Sequence, residues 1–359
     1  MKEVEDKLLL KPSQFKPSFK GWKIVGVLNP GAERLPEGKI VLYVRVAESV
    51  GDFAGGEIKC PVMSSKKEFK AQYQKIERSD IIKRGRWGEM YLKDGTCRLP
   101  HISHFKRVIL SADGFEVEKI EQKPAFTGIP GEGDYGIEDP RITKIEGKYY
   151  MTYVGVSARE GVSTYLAVSN DLMKWKRLGL IFREQNKDVV LFSEKFRGLY
   201  VAFNRPESLF EFSKPSIWIS YSKDLIFWGR DKNLIRPREG SWEEERLGGG
   251  TPPVKTGKGW LMIYHGVRGR DGEKTYSAGA LLLAKNNPEK VLARSPANEP
   301  LIKPDKRYEQ TGYLNNVVFP TDALLSKDGR SLLVFAGGAD SVVSVRKIPL
   351  ENIWRHLRI

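Results

Sequence analysis

Cysteine and histidine are scarce in this sequence. Cys60 and Cys97 are the only cysteines among 359 residues, and only four histidines accompany them. So few cysteines exclude a disulfide framework and a cysteine-based metal site. We therefore expect a protein of the reducing cytoplasm that holds neither a metal nor an organic cofactor.

Long apolar runs are missing as well. No segment approaches the roughly 20 apolar residues that a membrane-spanning helix needs. The chain opens with Glu3, Glu5 and Asp6, where a secretion signal would carry basic residues, and the apolar run at residues 8–10 is too short for such a signal. The sequence therefore predicts neither secretion nor a membrane partner.

Acidic residues are outnumbered by basic ones, 45 to 60, which gives a net charge of +15. Such an excess favours anionic partners, among them nucleic acids, membrane surfaces and phosphate-bearing substrates. The basic residues are dispersed, however, and no basic tail, zinc-finger spacing or aromatic RNA-binding signature accompanies them. We therefore expect no nucleic-acid partner.

Glycine marks a repeat in the chain. Five times, a glycine turn stands directly before a strand-like run of aliphatic and aromatic residues, as at Gly147 before residues 148–153. Such a recurrence is typical of repeat folds. The five glycines, separated by 109, 51, 61 and 70 residues, are Gly38, Gly147, Gly198, Gly259 and Gly329.

A second motif marks the other edge of some repeats. A serine, an aspartate two residues later and then an aromatic residue occur at residues 111–115, 169–175 and 222–228, with spacings of 58 and 53. The aspartate of such a turn accepts hydrogen bonds from backbone N–H groups. If residues 50–99 are an insertion in the first unit, five units account for the chain, at residues 22–119, 136–180, 186–232, 246–295 and 314–350.

The composition of these units favours an all-β fold. Their strands are rich in Val, Ile, Tyr, Phe and Trp and are separated by Gly, Asp and Asn turns. Helical patterns are restricted to residues 66–76, inside the insertion, and to a short C-terminal helix at residues 350–357. About four strands in about fifty residues is the sequence form of a propeller blade. The sequence predicts a single five-bladed β-propeller domain, and a pair of β-sandwiches is the competing fold.

In a propeller the first strand of each blade lines the central channel. Counting back eight or nine residues from each turn glycine leads to five strand starts that would converge on this channel. Polar residues recur at these starts, and buried carboxylates are costly unless something binds there. We therefore expect the functional site at this convergence. The five starts are Asn29, Asp139, Val190, Thr251 and Pro320.

Asp139 is the candidate catalytic acid. Inverting cleavage of a glycoside needs an acid and a nucleophile on the opposite face of the sugar. Inorganic phosphate can be that nucleophile where cations line the channel, because arginine binds phosphate through two N–H groups and lysine or histidine adds a charge or a donor. The cations that recur beside the inner strands are Arg45, Arg141, Lys195, Arg205, Lys255 and His265.

Three spaced motifs carry a resemblance to a known family. They are EDPRIT at residues 138–143, GGGTPPVK at residues 248–255 with YHG at 264–266, and NVVFP at residues 316–320 with GGAD at 337–340. With these motifs in this order, the chain resembles glycoside hydrolase family 130, which comprises mannoside phosphorylases and a smaller set of β-mannosidases. The resemblance runs from about Asn29 to Ile348.

The resemblance implies a five-bladed propeller with its site at one end of the axis and inverting chemistry on β-mannosides. Asp139 matches the family's acid, which is held to act through a hydroxyl group of the bound mannose. Asn29, Arg45 and Asp340 match positions that hold this mannose, and we add Asp188, a polar residue at the third strand start. The residues implied to form a phosphate pocket are Arg141, Arg205, Lys255 and His265.

The predicted function is an inverting phosphorylase that cleaves β-mannosides with inorganic phosphate and releases α-mannose 1-phosphate. An inverting β-mannosidase that uses water stays open, because Asn204 and Thr321-Asp322 depart from the family pattern and residues 242–245 (WEEE) offer a carboxylate to activate water. A carbohydrate-binding propeller without catalysis is the other alternative. The expected partners are a β-mannoside oligosaccharide and phosphate, and homo-oligomerisation is left open.

Overall fold

The computed structural model describes residues 3–50, 57–86, 88–207, 212–270 and 272–359. Within these ranges the fold is all-β, as the sequence predicts, with two short α-helices. The predicted insertion at residues 50–99 includes residues 51–56 and Trp87, which lie outside the described residues.

The described residues form 26 strands. In the first half of the chain they are β1 (Glu5–Leu10), β2 (Lys23–Arg34), β3 (Ile40–Ser49), β4 (Glu57–Met63), β5 (Ala71–Glu77), β6 (Ile81–Arg84), β7 (Met90–Leu92), β8 (Cys97–Arg98), β9 (His101–Leu110), β10 (Val117–Phe126), β11 (Ile137–Ile145), β12 (Lys148–Ser157), β13 (Gly161–Ser169) and β14 (Lys176–Phe182). In the second half they are β15 (Asn186–Leu191), β16 (Tyr200–Pro206), β17 (Ile217–Ser222), β18 (Trp228–Ile235), β19 (Arg246–Gly249), β20 (Val254–Lys255), β21 (Trp260–Arg270), β22 (Glu273–Ala284), β23 (Asn287–Arg294), β24 (Val318–Leu325), β25 (Ser331–Gly338) and β26 (Val342–Pro349). The helices are α1 (Arg307–Gln310) and α2 (Leu350–His356).

Five antiparallel sheets follow one another along the chain. Sheet 1 contains β2, β3, β9 and β10; sheet 2 contains β11 to β14; and sheet 3 contains β15 to β18. Sheet 4 contains β19, β21, β22 and β23, with β20 beside β21, and sheet 5 contains β24, β25, β26 and β1. The insertion in sheet 1 forms two smaller sheets, β4–β5 and β6–β7–β8.

Each sheet packs on the next one, and sheet 5 packs on sheet 1. A separate apolar cluster fills each of the five contacts, so most strands are buried on both faces. Burial of each large apolar side chain contributes roughly 1.5–3 kcal/mol, and these clusters therefore hold the sheets together. The clusters contain Phe105 and Met151 between sheets 1 and 2, Leu166 and Val189 between sheets 2 and 3, and Phe203 and Trp260 between sheets 3 and 4. They contain Leu282 and Val318 between sheets 4 and 5, and Leu42 and Phe335 between sheets 5 and 1.

The turn residues identified in the sequence lie at equivalent places in the sheets. Gly38, Gly147, Gly198 and Gly329 connect the first two strands of sheets 1, 2, 3 and 5, with φ angles of 91°, 81°, 80° and 67°. These left-handed angles favour glycine because it has no Cβ. At the opposite turns, Asp171 accepts hydrogen bonds from the backbone of residues 173 and 174, and Asp224 from that of residues 226 and 227.

Two features differ from the sequence analysis. Residues 66–76 were expected to be helical, but β5 covers residues 71–77 and pairs with β4. The N-terminal residues before 22 were assigned to no unit, yet β1 pairs with β26 and completes sheet 5. Neither feature has a local signal, since each depends on pairing with a distant or separate strand.

Candidate active site

The first strands of all five sheets contribute to one cavity of about 1340 Å³. Its lining includes one residue from each of these strands: Asn29, Asp139, Asp188, Arg246 and Phe319. Small-molecule pockets usually measure roughly 300–1,000 Å³. The cavity is therefore large enough for a ligand bigger than a single sugar unit.

β-Bulges shape the cavity wall at three of the strand starts. The pairing registers of β2, β11 and β15 shift between residues 28 and 31, 138 and 141, and 187 and 190, and these shifts enclose Asn29, Asp139 and Asp188. The φ angles of these residues are 46°, 51° and 56°. Asn and Asp tolerate this left-handed conformation better than other non-glycine residues, and such strained positions cluster at functional sites.

Asp139 is held in place by two neighbours. Its Oδ1 atom accepts hydrogen bonds from Nδ2 of Asn29 (2.8 Å) and Nη1 of Arg45 (3.0 Å). The other terminal nitrogen of Arg45 donates to Oε1 of Glu138 (2.6 Å). No described residue donates to Oδ2 of Asp139, so this oxygen is left for a ligand.

Asn29 itself is closely confined. A Cβ atom on Gly337 would lie 2.1 Å from Oδ1 of Asn29, so only glycine leaves room for this amide. The same Oδ1 atom is buried and accepts no hydrogen bond within the described ranges. Buried polar atoms are rarely left unpaired in proteins, and a bound ligand is one way to satisfy them.

Asp340 completes an acidic group, which consists of Glu138, Asp139 and Asp340 around Arg45. Burial raises the pKa of Asp340 to about 6; Arg45 opposes this effect, and the negative charges of Asp139 and Glu138 add to it. All four side chains line the cavity. Several carboxylates that face one arginine are suited to accept hydrogen bonds from the hydroxyl groups of a sugar.

Asp188 is the centre of a second cluster and is only 2% exposed. Its Oδ1 atom accepts a hydrogen bond from Nη2 of Arg141 (3.2 Å), and its Oδ2 atom accepts one from Nε of Arg205 (2.6 Å). Nε2 of His265 lies 3.5 Å from Oδ2. Burial alone would raise the pKa of Asp188, but Arg205, His265 and Arg141 hold it well below its ordinary value.

His265 is neutral in this environment. Burial lowers its pKa to about 3, and the opposing attraction of Asp188 is partly cancelled by Arg205, Arg141 and Arg246. Its Nδ1 atom is buried and has no hydrogen-bond partner among the residues described. Like Oδ1 of Asn29, this atom is a candidate for contact with a ligand.

Two arginines on the cavity wall share one carboxylate. Nη1 of Arg205 and Nη1 of Arg246 both donate to Oε1 of Glu207, the latter at 3.3 Å. Arg246 also donates to the hydroxyl group of Tyr276 (3.2 Å). Lys187 lies on the same wall, with Nζ 3.9 Å from Oε2 of Glu138. We call Lys187, Arg205, Arg246 and His265 the basic cluster.

Gly248, the first of three consecutive glycines before Thr251, makes room for this cluster. A Cβ atom on Gly248 would lie 2.4 Å from Oδ2 of Asp188, 2.6 Å from Cε1 of His265 and 2.9 Å from Cδ of Arg205. Real Cβ atoms do not approach other atoms so closely. Gly248 therefore lets strand β19 pass directly behind the cluster.

Two of the residues expected to bind phosphate do not line the cavity. Arg141 is 2% exposed, and its guanidinium group donates to Asp188 and to the carbonyl oxygens of Asp139, Gly249 and Gly250. Lys255 lies elsewhere: its side chain is 50% exposed and pairs with Glu194 at 2.7 Å. Arg141 is therefore part of the support beneath the cavity, and Lys255 belongs to the outer surface.

Four further residues, which the sequence did not indicate, are brought to the cavity by the fold. Arg246 directly precedes Leu247 and the glycine run, which is the one signal that could have identified it. Lys187 directly precedes the predicted residue Asp188, and Glu207 follows the predicted residue Arg205 by two positions. His101 begins β9 after the insertion, and burial lowers its pKa to about 4. All four line the cavity.

The residues that depart from the family pattern have structural partners. Asp322 is buried and accepts hydrogen bonds from the backbone of Ala32 (2.8 Å) and Ile142 (3.1 Å), which joins β24 to β2 and β11. Asn204 bonds with Asn186 and Ser220. Glu243, within the WEEE segment, is fully buried and bonds with Arg238, Arg294 and Tyr264. None of the three lines the cavity, whereas Glu245 does.

Metal-binding arrangements and membrane-spanning helices are absent from the ranges that the structure describes. There, no group of three or more His, Cys, Asp and Glu side chains has a metal-binding arrangement. No helix in those ranges is both long enough and apolar enough to cross a membrane.

Comparison with known proteins places the chain in a family. Residues 102–358 match the model of glycoside hydrolase family 130, described as β-1,4-mannooligosaccharide phosphorylase. The β-1,2-mannobiose phosphorylase of Listeria innocua is 32% identical over 358 residues, which span 99% of this chain and 98% of that protein. The 1,2-β-oligomannan phosphorylase of Thermoanaerobacter sp. is 37% identical over 261 residues, 71% of this chain and 83% of that protein.

A solved structure agrees with these matches. The complex of the Listeria innocua β-1,2-mannobiose phosphorylase with β-1,2-mannobiose has a TM-score of 0.88 to this chain, with 30% identity and 99% of each chain covered. Both the sequence and the fold thus match over nearly the whole length. The chain belongs to glycoside hydrolase family 130 and is an enzyme of that family.

Proposed function

We propose that this enzyme is a phosphorylase that cleaves β-linked manno-oligosaccharides with inorganic phosphate and releases α-mannose 1-phosphate. The observation that carries the proposal is the division of one cavity wall into an acidic group around Asp139 and a basic cluster around Arg205. The first is suited to bind and protonate a sugar, and the second to bind an anion. We propose further that the five sheets are the blades of a five-bladed propeller, since they pack in a closed ring.

The acidic group is the proposed mannose site. Asn29 and Arg45 fix Oδ1 of Asp139, which directs Oδ2 toward the ligand. Glu138 and Asp340 would accept hydrogen bonds from sugar hydroxyl groups, and Arg45 would keep Glu138 in place. This arrangement supports Asp139 as the acid, because no residue in the described ranges donates to its second oxygen.

The basic cluster is the proposed phosphate site. Asp188 binds Nε of Arg205 and so fixes the orientation of its guanidinium group. Arg246 and Lys187 add positive charge, and neutral His265 adds a ring nitrogen for which the described part of the chain provides no partner. Arginine binds phosphate oxygens in pairs, which favours Arg205 and Arg246 as the main ligands.

The proposed reaction has one displacement step. A phosphate oxygen attacks the anomeric carbon of the terminal mannose, while the bond from this carbon to the glycosidic oxygen breaks. The proton of Asp139 passes to the leaving oxygen through a mannose hydroxyl group. The new bond lies on the opposite face of the sugar, so a β-mannoside gives α-mannose 1-phosphate and a shortened saccharide.

The names of the relatives support β-1,2-linked mannosides as the substrate class. The experiment is to incubate the purified protein with β-1,2-mannobiose and with β-1,4-mannobiose, each with and without phosphate. We expect α-mannose 1-phosphate only when phosphate is present, and more of it from the β-1,2 linkage. Equal release of mannose without phosphate, with no sugar phosphate, would instead identify a β-mannosidase. Binding without turnover in any mixture would identify a carbohydrate-binding protein.

A further inference from the structure

Glu207 places a negative charge inside the proposed phosphate site. Its Oε1 atom accepts hydrogen bonds from both Arg205 and Arg246, so the carboxylate bridges the two guanidinium groups. The side chain is 23% exposed and lines the cavity. No described residue donates to Oε2. One oxygen of Glu207 therefore serves the protein, and the other is open to a ligand.

This carboxylate changes which anions the site can accept. An oxyanion that binds the remaining N–H groups of Arg205 and Arg246 would lie close to Glu207, because Nη1 of each arginine already donates to its Oε1 atom. Two unprotonated anions in contact repel each other, and the repulsion is strong where water is largely excluded. The contact becomes attractive only if a proton lies between the two oxygens.

Oxyanions of similar size differ in this proton. Phosphate and arsenate keep at least one proton at neutral pH, whereas sulfate keeps none. We propose that Glu207 is a specificity-determining residue: its Oε2 atom accepts the hydrogen bond of the P–OH group and so selects protonated oxyanions against sulfate. The inference rests on the proposed function, since it assigns phosphate to the basic cluster.

The same contact would also orient the nucleophile. With the P–OH group held by Glu207, the unprotonated oxygens of the phosphate are left for Arg205, Arg246 and the anomeric carbon. An unprotonated oxygen is the better nucleophile. No proton needs to leave the phosphate during the displacement, because the proton of the leaving group comes from Asp139.

The test compares three anions in the wild type and in Glu207→Gln. Isothermal titration with phosphate, arsenate and sulfate gives the affinities directly, and sulfate inhibition of phosphorolysis gives an independent value. We expect the wild type to prefer phosphate and arsenate over sulfate by at least about tenfold, the size expected for one charged hydrogen bond. In Glu207→Gln the preference should fall by about tenfold, chiefly because sulfate binds more tightly.

Glu245→Gln is the matched control. Glu245 lines the same cavity but pairs with Lys274 at 2.8 Å rather than with the two arginines, so its loss should leave the preference between anions unchanged. Glu207→Asp, which keeps the carboxylate, should retain part of the preference.

Three outcomes would overturn the inference. The first is that the wild type binds sulfate as tightly as phosphate, which can be measured even if the variant does not fold. The second is that Glu207→Gln weakens the binding of all three anions equally, as expected if Glu207 only positioned the arginines. Thirdly, Glu245→Gln would lower the preference as much as Glu207→Gln. If the wild type bound phosphate and preferred it to sulfate but performed no phosphorolysis, the proposed function would fail and the anion selectivity would stand.

Discussion

Nη2 of Arg141 donates a hydrogen bond to Oδ1 of Asp188 at 3.2 Å, and both side chains are at most 3% exposed. The same guanidinium group donates to the carbonyl oxygens of Asp139 in sheet 2 and of Gly249 in sheet 4. Arg141 therefore joins three sheets directly beneath the proposed site. This position makes it a structural residue whose loss affects the whole fold.

Replacement of Arg141 by alanine should lower the free energy of unfolding by about 3–5 kcal/mol, because it leaves the Asp188 carboxylate buried beside fewer donors. Urea denaturation measures the difference. Lys255→Ala is the control, since this exposed ion pair with Glu194 should contribute no more than about 1 kcal/mol. Equal effects of the two substitutions would contradict the supporting role of Arg141.

Gly248→Ala should reduce phosphorolysis at least about tenfold, and mainly by raising KM for phosphate. The added methyl group would collide with Asp188, His265 and Arg205 and displace the basic cluster. Steady-state kinetics with phosphate as the varied substrate measure this effect. Gly257→Ala provides the control, because a Cβ atom there would meet no atom of the described residues within 4 Å. A Gly248→Ala enzyme with normal KM for phosphate would show that the cluster does not bind it.

Asp139→Asn should lower kcat/KM for the mannoside by about 10²-fold or more, the usual contribution of a general acid. Asparagine keeps the shape of the side chain and tolerates the left-handed backbone at this position. The thermal midpoint should therefore change little. Release of α-mannose 1-phosphate measures the activity, and a variant that retained more than a tenth of the wild-type rate would remove Asp139 from the acid role.

Asp340 should make the protein less stable as the pH rises. Its pKa is about 6 in the folded protein, against an ordinary value of 3.8, so the folded form holds a proton between these values that the unfolded chain releases. The stabilisation from this proton is fully present below about pH 3.8 and is lost as the pH rises through 6. Asp340→Asn should therefore exceed the wild type in free energy of unfolding at pH 7, by at most about 3 kcal/mol.

Two urea denaturation series, at pH 7 and at the lowest pH where the protein stays folded, measure this difference. The advantage of Asp340→Asn should shrink at the lower pH. If the carboxylate form of Asp340 holds the sugar, wild-type kcat/KM should also fall below about pH 6, and the variant should lack this limb. A variant with an unchanged pH profile would assign the acidic limb to another group.

The strand starts could be predicted because their signals are local. The turn glycines lie nine residues after Asn29 and eight residues after Asp139, and the counting needs only a regular strand length. It led to Val190 rather than to Asp188, two positions earlier, because the bulge in β15 adds residues that the count does not include.

Which way a charged side chain points was less predictable. Arg141 lies near the start of β11 and Arg205 near the end of β16, but of these two only Arg205 lines the cavity. Arg141 is drawn inward by carbonyl oxygens of another sheet. Arg246 and Glu207 could not be predicted as site residues, because what marks them is the contact between their two side chains. They are 39 residues apart in the sequence and meet only when sheets 3 and 4 pack together. Distant pairing of this kind leaves no periodic pattern.

The pairing of β1 with β26 has a consequence for biosynthesis. Residues 5–10 leave the ribosome long before their partner strand at residues 342–349. Until then the edge of β1 and the faces of sheets 1 and 5 lack their final neighbours, and open strand edges of this kind promote aggregation. The nascent chain therefore depends on β26 to complete sheet 5, and a stop codon shortly before this strand should yield insoluble protein rather than a slightly shortened enzyme.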